Sequence, residues 1–294
     1  MIFNIVTFLW NDPRAKHTPN FTYGPDHVNK LFRQLKKGFD AVSKLDIDQG
    51  VEDPREFIFT VVTDHKKISD FDMSAVGATG SAASDGIKVV PLWDDFRDLG
   101  RCFTKLKMFS EDHQDLYGED RDRSEVFKGD FLIVIDLDIV IINPEAFVKT
   151  LTLNTEQPFK GYRDTKNPRC YSGALWRIDT QYPGGFHNVY DLFRHMYDTS
   201  KVGNYTNALF SNWNKMSSFV GSDQNHITMA LGEHTYPYKW NDREHGIWDF
   251  WQVEHLPSLP LNTVAVFMNG MRRDASMKEF QDRYPWIATN WRDV

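Results

Sequence analysis

A run of five apolar residues, Phe131-Leu132-Ile133-Val134-Ile135, stops at Asp136-Leu137-Asp138 and resumes at once as Ile139-Val140-Ile141-Ile142. Continuous apolar runs of this length are how strands buried on both faces of a parallel sheet are written. Two acids inside such a run are expensive, because like charges in a buried setting need a compensating partner. If the chain stays extended through the triplet, the two-residue period points both carboxylates to one side. There they can share a hard divalent cation through oxygen ligands. The three other Asp-x-Asp triplets, at 46–48, 70–72 and 120–122, lie in polar or connecting segments and read as solvated turn acids. Ligands of open α/β sheets bind at the carboxyl ends of the parallel strands, which places the 136–138 triplet where chemistry is expected.

The rest of the N-terminal half fits that frame. Ile2 to Thr7 reads as a first strand. Val28, Leu31, Phe32, Leu35, Phe39 and Val42 then recur at helical spacing after Pro25-Asp26. Phe57 to Val62 and Ile87 to Val90 read as second and third strands. The small, polar stretch Gly77 to Gly86 between them lacks phosphate-loop spacing and reads as a surface loop. Phe103, Leu106 and Phe109 mark a helix, Glu111 to Lys128 a solvated excursion, and Asn143-Pro144-Glu145 a capped helix start. The second half is less regular. Strands are expected at Phe159 to Tyr162, Ser172 to Ile178 and Leu261 to Phe267, with helices around Phe186 to Met196 and from Ser222-Asp223 to Leu231. The reading is one α/β domain over 1–294, with a nucleotide-binding half, 1–143, and a donor-sugar and acceptor half, 144–294.

Composition narrows the function. With 41% hydrophobic and 26% charged residues the chain can bury a large core. Its charge of 34 − 41 = −7 argues against nucleic acid as a partner, although a local basic groove is compatible with it. No apolar run approaches the roughly 20 residues of a membrane span, and the apolar start carries no basic leader. Two cysteines, Cys102 and Cys170, are too few for a disulfide framework, so buried thiols in a reducing cytoplasm are expected. Trp240, Trp248 and Trp251, with Tyr236 and Tyr238 and near His245 and His255, suit stacking on an acceptor sugar and equally suit core packing. The histidines show no zinc spacing.

The apolar strand with Asp136-Leu137-Asp138 resembles the metal-binding DxD element of GT-A glycosyltransferases, whose fold is a Rossmann-like, mostly parallel sheet flanked by helices. In order along the chain, other segments resemble the retaining, glycogenin-like family eight enzymes. Arg101 to Leu106 is similar to their basic helix, Tyr171-Ser172-Gly173-Ala174-Leu175 to their Asn-Ser-Gly strand, and Ser222-Asp223-Gln224-Asn225 to their Asp-Gln helix start. The chain departs from the pattern after its last strand. Where those enzymes place a His ligand and a Lys, it offers Phe267-Met268-Asn269-Gly270-Met271-Arg272-Arg273.

The resemblance implies transfer of a sugar from a nucleotide diphosphate, most simply a UDP-sugar, to an acceptor hydroxyl with Mn2+ or Mg2+. Asp136 and Asp138 would ligate the metal, with the amide of Asn269 as substitute third ligand. Donor contacts would come from Phe8 and the main chain around it, Tyr23, Asp64, Arg101, Lys105, Asp136, Leu137, Ser172, Gly173 and Arg272. Arg101 and Lys105, four apart, are expected on one helix face. Asp223 would accept donor-sugar hydroxyls and Gln224 would sit near the anomeric carbon. An amide is a poor base, which fits retention with the leaving phosphate taking the acceptor proton; inversion would need a carboxylate base that the sequence does not single out. The acceptor stays open, a hydroxylated nucleobase in DNA included. A non-catalytic carbohydrate-binding protein is the rival of another class, and it gives no reason for acids at the end of a buried strand.

Overall fold

The computed structural model describes residues 1–10, 23–72, 86–92, 101–110, 127, 129–165, 170–182, 186, 188–191, 223–231, 239–268 and 278–291. The first strand, β1 (Ile2–Leu9), leads to α1 (Pro25–Asp48), β2 (Glu56–Thr63) and β3 (Ile87–Pro91). A 3-10 helix (Arg101–Phe109) precedes β4 (Phe131–Ile135), which is followed by β5 (Ile139–Ile141), α2 (Pro144–Thr152), β6 (Phe159–Arg163) and β7 (Tyr171–Asp179). Next come α3 (Asp223–Leu231), β8 (Lys239–Trp240), α4 (Asp242–His245), β9 (Ile247–Asp249), α5 (Phe250–Val253), β10 (Ala265–Phe267), α6 (Lys278–Arg283) and α7 (Pro285–Trp291).

Seven strands form the main sheet in the order β3-β2-β1-β4-β7-β6-β8, and only β7 opposes the common direction. The protein is therefore α/β with a mostly parallel sheet flanked by helices. From β1 the chain builds outward through β2 and β3, then returns to place β4 on the other side of β1. That reversal opens a crevice between the carboxyl ends of β1 and β4, the usual ligand position in such sheets. A second sheet, β5-β10-β9, stands beside it.

One face of the main sheet carries a row of aromatic rings from neighbouring strands. Phe57 of β2 and Phe131 of β4 flank Phe3 of β1 in register, and Phe39 of α1 stacks on Phe57 at 4.4 Å between centroids. Each buried Phe contributes on the order of 2 kcal/mol through removal from water. Helices α1 and α2 cross this face at Gly38, where a Cβ would stand 2.4 Å from the Pro144 carbonyl oxygen. Asn143 caps α2 by accepting from the Ala146 N–H at 3.0 Å, as the Asn-Pro order implies. The other face carries Leu106, Met108 and Phe109 of the 3-10 helix and Ile227 of α3.

Two sequence expectations need correction. The helix expected at Phe103, Leu106 and Phe109 forms as a 3-10 helix, in which residues three apart share a face, so the four-residue rule applied to Arg101 and Lys105 does not hold there. The final strand is only Ala265–Phe267, because Pro260 to Thr263 closes a turn, with the Thr263 N–H donating to Pro260 O at 2.9 Å and Leu261 fully exposed. No helix among the described residues is long and apolar enough to cross a membrane. Much of the 77–86 and 111–128 segments lies outside the described residues.

Candidate functional site

Strand β4 ends at Ile135, and Asp136 follows it into the crevice, its N–H held by Ala174 O of β7 at 2.9 Å. The chain bends at Leu137, so the triplet is not an extended strand. The bend carries the chain from the main sheet to the second one and turns the Leu137 side chain into the core, which leaves only its main chain to meet a ligand. Asp138 lies at the start of β5, where its carbonyl accepts from the Met268 N–H at 2.7 Å. The chain after β10 thus departs from beside Asp138. Asn269, Arg272 and Arg273 belong to that departing segment and lie outside the described residues.

Because β7 runs against β4, its first residues reach the same end of the sheet as Asp136. Gly173 is needed there. A Cβ on it would stand 2.2 Å from Asp223 Oδ2, so only a glycine lets that carboxylate lie against the strand. Asp223, the first residue of α3, is buried, and Lys105 of the 3-10 helix binds all three parts of the site together. Its Nζ donates to Asp136 Oδ1 at 2.8 Å and to Gly173 O at 2.9 Å, and lies 3.1 Å from Asp223 Oδ2. Of the four predicted residues in this cluster, Asp136, Lys105, Gly173 and Asp223, none is a neighbour of another in sequence. About a third of the Asp136 side chain, 34%, is open, against 4% for Lys105. Protein packed around the Asp136 carboxyl pushes its pKa above the ordinary carboxylate value; Lys105 pulls it down, and the nearby Asp223 carboxylate pushes it up again.

The other predicted residues line the same end of the sheet or its approaches. Phe8 is buried near the end of β1, edge-on to Trp10 at 5.9 Å, and Asp64 is half-buried one residue beyond β2. Tyr23 precedes α1 and meets His27 edge-on at 4.9 Å. Ser172 Oγ accepts from the Ala174 N–H at 3.2 Å, and Gln224 is half-buried in the first turn of α3. The Arg101 side chain lies outside the described residues.

Sequence reasoning missed a tie between the two sheets behind Asp138. Asp249, in register with Phe267, is buried and accepts from Thr165 Oγ1, while Trp251 Nε1 donates to the same Thr165 oxygen at 3.2 Å. The Asp249-x-x-Gln252 spacing of a capping box was the available signal. Of the aromatic stretch, Trp240 is fully buried, its Nε1 donating to Thr150 O at 3.1 Å, which makes it core. Trp248 and Trp251 are half-buried, and Tyr236 and Tyr238 lie outside the described residues.

Among the described residues no three His, Cys, Asp or Glu side chains converge as a metal cage. Two carboxylates at a strand end still fit the way Mg2+ and related cations bind, through one or two carboxylates with substrate phosphates completing the shell. Asp136 and Asp138 match that donor set. No protein-family profile and no curated protein matches the chain.

Proposed function

We propose that this chain is a GT-A-type glycosyltransferase that moves a sugar from a nucleotide diphosphate to an acceptor hydroxyl with retention at the anomeric carbon. The observation that carries the reading is the Asp136–Lys105–Asp223 cluster, closed over Gly173, at the crevice between β1 and β4. A paired structural acid would call for a counter-charge and nothing more; here two carboxylates from separate elements converge at the ligand end of the sheet.

The main chain at the end of β1, with Tyr23 and Asp64 beside it, supplies the surface for base and ribose. Asp136 and Asp138, with Asn269, would hold Mn2+ or Mg2+, whose contribution when bound is to neutralise charge gathering on the departing diphosphate. Asp223, fixed by Lys105, would accept hydrogen bonds from donor-sugar hydroxyls, and Gly173 lets that carboxylate lie against the strand. Gln224, next along α3, would lie towards the anomeric carbon, where its amide can orient without removing a proton. The acceptor proton passes to the leaving phosphate, as retention without a protein base requires. Arg272 would reach the diphosphate as a bidentate donor.

The test is incubation with Mn2+ and a panel of nucleotide sugars, following release of free sugar and nucleoside diphosphate. Slow, Mn2+-dependent hydrolysis of one donor, lost in Asp223→Asn, is the expected result. No cleavage and no thermal shift with any nucleotide sugar or nucleoside diphosphate would sink the transferase reading.

A further inference from the structure

Lys105 occupies an unusual position for a positive charge in a metal-dependent site. Its side chain is 4% exposed and anchored from three directions, by β4's end through Asp136, by α3 through Asp223 and by β7 through Gly173 O. The last anchor is a strand carbonyl, fixed in place by the sheet. Lys105 therefore cannot swing aside without leaving a buried ammonium short of acceptors. Asp136 and Asp223 repel each other, and whichever cation stands between them decides how both are held.

We propose that Lys105 is the resident counter-ion of this site and competes with a divalent cation for Asp136, so that the cation binds well only together with a diphosphate. The inference rests on the transferase reading above and adds to it an order of assembly. A divalent cation at Asp136 alone is brought into like-charge contact with the ammonium. A diphosphate supplies anionic oxygens that both cations can share, which removes the conflict. Metal and diphosphate affinities are then positively coupled, and the coupling is reciprocal. The ammonium also keeps Asp136 and Asp223 together while no ligand is present, without committing the site to a free metal ion.

The experiment titrates Mn2+ into the wild-type protein and into Lys105→Met, with and without UDP. Free Mn2+ is read by its electron paramagnetic resonance signal at a pH of about 8, well above the ordinary carboxylate range. Wild type is expected to bind Mn2+ weakly alone and about tenfold or more tightly with UDP. Lys105→Met should bind Mn2+ alone about tenfold more tightly than wild type and lose most of the dependence on UDP. Lys105→Gln, which keeps a donor for Gly173 O without the charge, should follow Lys105→Met and carries the test if the methionine variant does not fold. Wild type binding Mn2+ with UDP while both variants bind Mn2+ alone no better than wild type would overturn the competition and leave the transferase reading standing. Wild type binding no Mn2+ even with UDP would overturn both.

Discussion

Lys105 and Lys160 are equally buried, each about 3% exposed, one on the 3-10 helix and the other on strand β6 of the main sheet, yet they are held in opposite ways. Lys105 meets two carboxylates and a carbonyl at the open end of the sheet. Lys160, on β6, meets the Trp240 ring at 5.5 Å, and directly opposite it on β7 stands another buried cation, Arg177. Arg177 spends its guanidinium on the end of α2, donating to the carbonyls of Leu151, Leu153 and Asn154 at 2.6 to 2.9 Å, and covers the Phe131 ring at 5.2 Å. Neither has a carboxylate within ion-pair distance among the described residues. Burial first, and Arg177 second, depress Lys160 to about 8. The contrast separates two uses of buried charge. Under α2, cations serve the fold by satisfying helix carbonyls and covering rings. At the crevice, two acids and a cation from three separate elements are gathered at the ligand end of the sheet, where only Asp223 has a helix start to serve, and that surplus is the mark of a site.

Four substitutions would break or sharpen the contrast. Arg177→Met should destabilise the fold most, by about 3–5 kcal/mol in denaturant melts, because the end of α2 loses the donor to three carbonyls, that of Leu151 buried and those of Leu153 and Asn154 partly so. Gly173→Ala should act on the other region. Its methyl group displaces Asp223, so donor cleavage should fall about a hundredfold, with a stability loss of roughly 1–3 kcal/mol. Lys160→Met should stabilise near neutral pH by about 2–3 kcal/mol, since it removes a charge whose burial is unfavourable. The sign follows from proton counts. Between about 8 and 10.5 the unfolded chain keeps a proton that the folded chain has lost, so wild-type stability rises with pH across that window. The variant should lack that rise, and a rise of the same size in both would detach Lys160 from it. Asn143→Ala should cost about 1 kcal/mol through the lost cap and leave donor cleavage unchanged.

What could be read in advance follows the range of the interactions concerned. The apolar run before Asp136, the α1 periodicity and the Asn143-Pro144 cap are local patterns, and each forms the element expected of it. The alternation argument for the two acids failed because it assumed one strand where the chain changes sheets at Leu137, a choice made by the distant partners β7 and β10. Phe103, Leu106 and Phe109 are spaced by threes, which suits the three residues per turn of the 3-10 helix that forms, whereas the pairing expected of Arg101 and Lys105 assumed 3.6. The Lys105 contact with Gly173 spans 68 positions, a separation over which no spacing rule operates. Resemblance named both residues without saying that they touch.

The central claim is that Asp136 and Asp138 bind a divalent cation together with a nucleoside diphosphate. Isothermal titration of UDP into wild type and Asp138→Ala, each with and without Mn2+, tests it most directly. The account predicts Mn2+-dependent UDP binding by wild type, weakened in Asp138→Ala on the order of a hundredfold. UDP binding that ignores both Mn2+ and the loss of Asp138, or no binding by wild type at all, would contradict it.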